Sequence, residues 1–418
     1  MMLMSKTYEI DSCDDVELGI KRESKLEFKL WHDDEKNPEV LVFFIQGVGS
    51  DCHDKMLNIV AENLIQKFNI AFASVNYHCI GNRPQTGSTF YLDEIDKLIL
   101  DATTQAAGIK LPYGVDKIQN YEQMSEIFHF INQSLIEGKK EGRFRMDYFL
   151  NLHVSLQPTK NEYQNFGIMQ AQDLINVALY LKNNAPFDTM GGGIPVIMIG
   201  TSRGGYLAHL AAKIAPWLID GVIDNSGGAK FLWRTIGFGK EIDFTQYSEF
   251  STFDFFQHIK VFCSTKTFWT SNSASPYFFS PARCVIRNIL EPTHLEICAK
   301  FPSSHYVSYH AIKDQYDPLE EKIALYDCLE KLGFDVKLNS ITKESQIDGK
   351  FIKSLEHGMG IPIKLMIEKE LPIMLEKIKK YPKKECKDKS ISYPCEDLLY
   401  KFTQKEDKIL LEVKNANQ

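Results

Sequence analysis

The sequence predicts an α/β protein: a mostly parallel, doubly wound sheet with helices on both faces, carrying two cap insertions. Three observations lead there. Short apolar runs alternate with stretches whose apolar positions recur at helical spacing. The runs in the middle of the pattern are continuously apolar rather than alternating, as strands covered on both faces must be. The rhythm breaks over 79–165 and again over 229–300, and resumes after each break.

Residues 8–30 carry apolar side chains at every second position in three short runs: Tyr8 and Ile10; Val16, Leu18 and Ile20; Leu26, Phe28 and Leu30. Period two is that of half-buried strands, so this segment reads as the edge of the sheet. The run 41–45 then stops at Gln46-Gly47-Val48-Gly49, a tight turn after a buried strand. Met56, Ile59, Val60, Leu64 and Ile65 follow at helical spacing and predict a helix over 53–67. A strand over 70–77 completes a right-handed parallel crossover.

The segment 79–165 mixes Gly- and Pro-bearing stretches with helical pieces that have no matching strand, which reads as an insertion. The regular pattern returns with a helix at 168–184, a strand at 195–199, a helix at 204–215 and a strand at 221–224. The stretch 229–300 is irregular and aromatic-rich, with Phe231, Trp233, Phe255, Phe256, Phe268, Trp269, Tyr277, Phe278 and Phe279. These rings are either the insertion's own core or an apolar substrate pocket. A strand at 306–311, a helix at 318–332, a strand at 335–340 and a helix at 361–380 close the wound domain. The expected organisation is a core of 1–78, 166–228 and 301–380, insertions at 79–165 and 229–300, and an extension at 381–418 whose Lys383, Lys384, Lys387 and Lys389 read as a solvated turn.

Composition bounds the rest. Across 418 residues, 44% hydrophobic and 25% charged usage is ordinary for a globular chain with a sizeable core. A net charge of -7 offers no concentrated basic face, which argues against nucleic acid as a partner. Nine cysteines without CxxC spacing imply reduced thiols. Lys6, Glu9 and Asp11 interrupt any secretory h-region at the start, and no apolar stretch reaches the roughly 20 residues of a membrane span, so the expected location is the cytoplasm.

The chemistry concentrates at Gly200-Thr201-Ser202-Arg203-Gly204. Gly-x-Ser-x-Gly alone is weak evidence, but here it lies directly after the apolar strand 195–199 and directly before a helix containing Tyr206, Leu207, Leu210 and Ala211. Small residues on both sides of a serine permit a sharp strand-to-helix turn that lifts the hydroxyl clear of the sheet. Ser202 is the candidate nucleophile, and the bland alternative is a Gly-rich turn without chemistry.

With the loop 46–49, the turn 200–204, Asp314 and His357 in that order, the chain resembles the α/β-hydrolase superfamily, nearest to its esterase and prolyl-oligopeptidase-like branches. The resemblance implies the chain order Ser, acid, His. His357, after the last predicted strand, takes the place of the general base, and His310, inside a strand, that of a core or supporting residue. Asp314 is the implied acid, in a loop where Asp317 before Pro318 reads as a helix N-cap. The implied oxyanion donors are the N–H groups of Arg203 and Val48, the loop 46–49 carrying Gln46 where relatives carry His. Gln46, Gly47 and His53 are candidate substrate contacts; Asp51 reads equally as a helix cap.

The insertions and the Lys-, Phe- and Ile-rich usage also resemble a Campylobacter-type family of α/β-hydrolase-like proteins, some encoded near flagellin-glycosylation genes. That resemblance implies acylated sugars such as nonulosonic acids, for which Arg83, Arg203, Arg234, Arg283 and Arg287 are available unless they merely face solvent. The expected function is hydrolysis of a carboxylic ester, an O-acyl group on a small polar metabolite, with no metal or organic cofactor. Acyl transfer by the same apparatus, peptidase action and a catalytically silent binding protein are the alternatives.

Overall fold

Strands whose alternate residues are buried on opposite sides organise the first of two units of the computed structural model, which describes residues 2–231, 250–252, 256–302 and 304–416. This unit comprises Met1–Ile80, Asn165–Phe231 and Ser280–Gln418. Numbered along the whole chain, its sheet contains β1 (Leu3–Ile10), β2 (Leu26–Asp33), β3 (Val40–Ile45), β4 (Ile70–Asn76), β7 (Val196–Thr201), β8 (Gly221–Asn225), β11 (His305–Ala311) and β12 (Asp335–Ile341). The spatial order is β1-β2-β4-β3-β7-β8-β11-β12. β1 and β2 pair antiparallel, β2 runs antiparallel to β4, and every later pair is parallel. Together with the crossover helices, this is the α/β-hydrolase fold.

Strand periodicity builds two cores from one sheet. Leu41, Phe43 and Ile45 of β3 join the cluster under α4 (Ile168–Asn184), α5 (Arg203–Ile214) and α8 (Leu319–Lys331), while Val40, Val42 and Phe44 join the one under α1 (Lys55–Lys67) and α9 (Ile363–Lys380). Helix α1 shows the energetic logic. It buries Leu57, Val60, Leu64 and Ile65 on one stripe, each such side chain worth about 1.5–3 kcal/mol. Asp54 accepts from Met56 N–H at its start. That carboxylate, and not Asp51, is the helix cap.

Several expectations for this unit change. Residues 16–20 form a turn rather than a strand: Asp15 bridges to Ile20, the Asp15 carboxylate accepts Leu18 N–H, and Gly19 has a φ of 65°. Local side-chain capping outcompetes the alternating pattern there. The tail also does more than turn. β13 (Ser390–Cys395), β14 (Leu398–Lys405) and β15 (Lys408–Asn415) make an antiparallel meander that places Tyr393, Tyr400, Phe402 and Leu411 in the first core. Lys383 donates to the carbonyls of Pro216 and Ile219, and burial brings its pKa down to about 8. Lys384, Lys387 and Lys389 are exposed as expected.

α6 (Pro281–Arg287) and α7 (Pro292–Cys298) also belong to this unit, although the sequence pattern groups 280–300 with the second insertion. The reason is electrostatic as well as apolar. Arg287, fully buried, donates to both carboxylate oxygens of Glu17 at 3.0 and 2.6 Å, and Tyr400 O–H adds a third bond at 2.6 Å.

The second unit comprises Gly81–Gln164 and Leu232–Phe279. Its sheet runs β5-β6-β10-β9, from β5 (Thr89–Tyr91), β6 (Leu150–Gln157), β9 (Phe250–Thr252) and β10 (Ile259–Thr265), with α2 (Glu94–Ala106) and α3 (Tyr121–Lys140) contributing to its core. The expectation of helices without strands in 79–165 therefore fails at β6, whose Leu150, Leu152, Val154 and Leu156 alternate and pair in parallel with β10 from the other insertion. Its aromatic rings pack on one another, Phe256 on Phe128 at 5.8 Å and Trp269 on Phe279 at 5.4 Å, as a core does. Trp233, Arg234 and Phe255 lie outside the described residues. A hydrogen-bond chain joins sheet to helix here, buried at His153 and Asp96: Ser264 Oγ to His153 Nε2 at 3.0 Å, and His153 Nδ1 to Asp96 Oδ1 at 2.6 Å.

Replacing Glu17 by Ala leaves the Arg287 guanidinium buried without its carboxylate. Urea unfolding should register a loss of about 3–5 kcal/mol, against less than 1 kcal/mol for removing the exposed pair partner Glu141.

Candidate active site

The site grows from one strained residue. β7 delivers Thr201 and α5 begins at Arg203, leaving Ser202 between them with φ 53° and ψ -124°. A non-glycine residue adopts this region only when its surroundings dictate it. The neighbours dictate it by crowding. A Cβ on Gly200 would lie 2.2 Å from the Gly204 carbonyl carbon, and one on Gly204 would lie 2.0 Å from the Ile45 carbonyl oxygen. Ser202 N–H is tied to Asn225 O at 2.7 Å.

The two late-chain side chains converge on this serine. His357 Nε2 is 2.8 Å from Ser202 Oγ, and His357 Nδ1 is 2.9 and 2.8 Å from the two oxygens of Asp314. Asp314 follows β11, and its Oδ1 also accepts the N–H groups of Tyr316 and Asp317, both at 3.0 Å. The His357 loop, between β12 and α9, is pinned by buried Leu355 and Met359 on either side. Tyr316 sets its ring edgewise to the imidazole at 5.0 Å.

Electrostatics follows from this packing. Burial works against the Asp314 carboxylate, but the bond from His357 and the Asp317 amide outweigh it and hold its pKa below the ordinary value. Burial likewise works against a charged His357, and the Asp314 bond and charge outweigh it, raising its pKa above 6.5. Asp317 goes the other way: burial, then repulsion from Asp314, pushes it up to about 6. Asp317 is therefore not the N-cap read from the sequence. Pro318 occupies that position with no side-chain bond, and the Asp317 carboxyl turns toward Asp314 and His357. His310 is buried and donates from Nε2 to Asp317 O at 2.7 Å, the supporting place expected of it.

The other sequence candidates divide. Gly47 packs on the turn, where a Cβ would lie 3.1 Å from Thr201 O and 3.5 Å from Ser202 Cβ. Val48 is 47% exposed on the same loop. Gln46 does not face a substrate: its amide donates to Ser74 Oγ inside the core, because the continuous apolar strand carries it inward. His53 lies at the surface with Nε2 2.9 Å from Glu27 Oε1. The four described arginines of those proposed for an acidic sugar are committed elsewhere. Arg283 and Arg287 serve Glu17, Arg203 donates to Gln170 Oε1 at 2.7 Å, and Arg83, in the second unit, donates to Asn82 O and Thr265 Oγ1.

The roles of the residues at the end of β8 went unread in the sequence. Asp224 is fully buried and accepts Lys322 Nζ at 2.6 Å, Ser308 Oγ at 2.7 Å and Gly227 N–H at 2.7 Å, with His209 Nε2 at 3.2 Å. Burial opposes its charge, yet Lys322 overrides this and holds the carboxyl far below its usual range. Asn225 and Ser226 next to it both bond Gly358, the neighbour of His357. The only signal was the Asn-Ser-Gly-Gly run ending a buried strand. Among the described residues two clusters offer metal-type donors within 4.8 Å of one another: Asp314, Asp317 and His357, and Glu27, Cys52 and His53. In the first, both imidazole nitrogens are already engaged.

A parallel-centred sheet with a serine, a histidine and an aspartate joined at the carboxyl ends of its strands defines an α/β-hydrolase-fold protein. The chain belongs to the family described as protein of unknown function (DUF2920), whose model matches residues 6–413. No curated protein matches by sequence. Among solved structures it is similar to an acylaminoacyl peptidase from Pyrococcus horikoshii, at 13% identity and a TM-score of 0.45 over 93% of this chain and 43% of that one. It is also similar to esterase B from Lactobacillus rhamnosis, at 11% identity and a TM-score of 0.43 over 91% and 89% of the two chains. A dienelactone hydrolase from Anabaena variabilis matches at 14% identity and a TM-score of 0.35 over 90% and 98%. The chain spans less than half the length of the peptidase. No helix among the described residues is long and apolar enough to cross a membrane.

Because the Asp314 charge sustains the elevated His357 pKa against burial, Asp314→Asn should lower it. Titration of the imidazole by NMR should give a lower value in the variant than in the wild type.

Proposed function

We propose that the protein is a serine hydrolase that cleaves a carboxylic ester through an acyl-enzyme, with Ser202 as nucleophile, His357 as general base and acid, and Asp314 as the group that orients the imidazole. One observation carries the reading: an unbroken chain of bonds at 2.8 Å from Ser202 Oγ through both ring nitrogens to Asp314, on a serine held at positive φ at the start of a helix. A serine hydroxyl is nearly inert at neutral pH unless a neighbouring base takes its proton.

In this reading Ser202 Oγ bonds to the carbonyl carbon as its proton passes to His357 Nε2. The carbonyl oxygen gathers negative charge, which the N–H groups of Val48 and Arg203 receive. The exposure of Val48 and the fit of Gly47 against Ser202 support a carbonyl entering there. Collapse breaks the bond to the alcohol, which leaves with the proton from His357. Water then gives a proton to His357 as its oxygen bonds to the acyl carbon, and Ser202 recovers its hydrogen as the carboxylic acid departs. The ionised Asp314 stabilises the imidazolium formed in both halves. No step needs a metal or an organic cofactor.

The substrate proposed is an O-acyl ester of a small polar alcohol such as a sugar. The engagement of Arg203, Arg283 and Arg287 with protein partners favours a neutral alcohol over an acidic one. None of the nine cysteines forms a disulfide, which supports a reducing compartment such as the cytoplasm.

A fluorophosphonate probe should label the wild type at Ser202, as read by peptide mass spectrometry, and hydrolysis of p-nitrophenyl acetate should fall about 10⁴-fold or more in Ser202→Ala. Undiminished turnover in that variant would remove the assignment. The base must be neutral to act, so kcat/KM should decline as pH falls through the raised His357 pKa, placing the acid limb above 6.5.

A further inference from the structure

Ser202 and His357 lie 155 positions apart, on separate elements, and their hydrogen bond depends on how the His357 loop is held against the turn. The loop has little regular structure of its own: Gly358 and Met359 take φ values of 73° and 51°, and it belongs to neither β12 nor α9. What grips it is the end of β8. Ser226 Oγ accepts Gly358 N–H at 2.9 Å, Asn225 Nδ2 donates to Gly358 O at 3.1 Å, and Ser226 Oγ donates to Asn225 Oδ1 at 3.3 Å. The three bonds form a closed ring that reads both polar groups of the residue following His357. Donor counting makes it self-consistent. An amide supplies one acceptor and two donors, and a hydroxyl one donor with spare lone pairs, so each atom has a single assignment.

One of the two, Asn225, also holds the nucleophile, while the other is tied to the neighbouring strand. Asn225 O accepts Ser202 N–H at 2.7 Å, and Ser226 N–H is anchored to Tyr309 O on β11 at 2.9 Å. Ser226 is itself at φ 57°, a conformation unfavourable for serine that aims its hydroxyl at Gly358, and both side chains are buried. Strain of this kind persists where the surroundings over-determine it.

We propose that Asn225 and Ser226 are positioning residues that fix the distance between Ser202 and His357, acting through the N–H and carbonyl of Gly358 on one side and, for Asn225, the Ser202 amide on the other. This rests on the hydrolytic reading of Ser202, His357 and Asp314. Neither residue touches the reacting atoms; removing either side chain loosens the imidazole while leaving Ser202 N–H bonded to the residue 225 carbonyl. Displacements near 1 Å in such a relay cost about 10²-fold in rate, so the effect belongs in kcat rather than KM.

The test compares wild type, Asn225→Ala, Ser226→Ala and the double variant in p-nitrophenyl ester hydrolysis, with Leu329→Ala as a control for simple destabilisation. Each single variant should lose about 10- to 100-fold in kcat with KM within about twofold. The double variant should lose little more than the worse single one, since both side chains act through one residue, Gly358, and bond each other. Leu329→Ala, buried in α8 and outside the ring, should melt at a lower temperature with kcat unchanged. A second readout needs no turnover: the low-field resonance of the proton between His357 Nδ1 and Asp314 should broaden or shift in both ring variants and stay in place in Leu329→Ala. Ring variants with wild-type kcat and an unmoved resonance overturn the proposal. A wild type that neither hydrolyses esters nor labels at Ser202 overturns the hydrolytic reading instead, and the resonance still decides whether the ring positions the imidazole.

Discussion

The close approach of the Ser202 turn to the end of β3 is the constraint on which the rest of the first unit turns. Gly204 lies so near the Ile45 carbonyl that no side chain fits between them, and Gly200 faces Gly204 in the same way. With both sides of the turn filled by backbone, Ser202 has no room for an ordinary conformation and is left at positive φ. Everything else at the site is arranged around a hydroxyl whose place is set by this contact: the loop 46–49 passes beside it, and the loops after β8, β11 and β12 close in from the neighbouring strands.

Charge is handled in layers beneath that surface. Asp224 and Lys322 form a fully buried pair, with Ser308, His209 and Gly227 occupying the remaining acceptor positions. A pair so deep is weak evidence for stability by itself, because desolvating both ions offsets their attraction. Its position is more informative. It holds the end of β8 to α8, and so fixes the strand end from which Asn225 and Ser226 project. Above it, Asp314 stays ionised while Asp317, only three residues on, is driven toward its neutral form.

What could be read from the sequence was local. The buried strands at 41–45, 70–77, 195–199 and 221–224 and the helices between them match the structure closely, because continuous apolar runs and helical spacing are properties of short segments. The convergence of Ser202, Asp314 and His357 was legible through the order in which an α/β-hydrolase chain visits its strand ends. Partnerships set by the tertiary fold were not. Nothing near Asp317 announces that its carboxyl turns from the helix end toward Asp314, and nothing near Gln46 shows that Ser74 waits inside the core. The pairing of β6 with β10 joins segments more than a hundred residues apart, so each alone looked like an unsupported fragment. Lys383 failed for a similar reason: a lysine-rich run reads as solvated until its carbonyl partners are known.

The second unit holds the same three residue types in the same sequence of bonds, Ser264 to His153 to Asp96, with spacings close to those at Ser202. Yet Ser264 sits within β10, its main chain laddered to β6, and no helix begins beside it. A search by side-chain constellation would retrieve both triplets and rank them alike. Torsion angle separates them, since only one of the two serines interrupts a strand to open a helix; any template meant to find the Ser202 arrangement in relatives of this chain must therefore encode the main chain as well as the three functional groups.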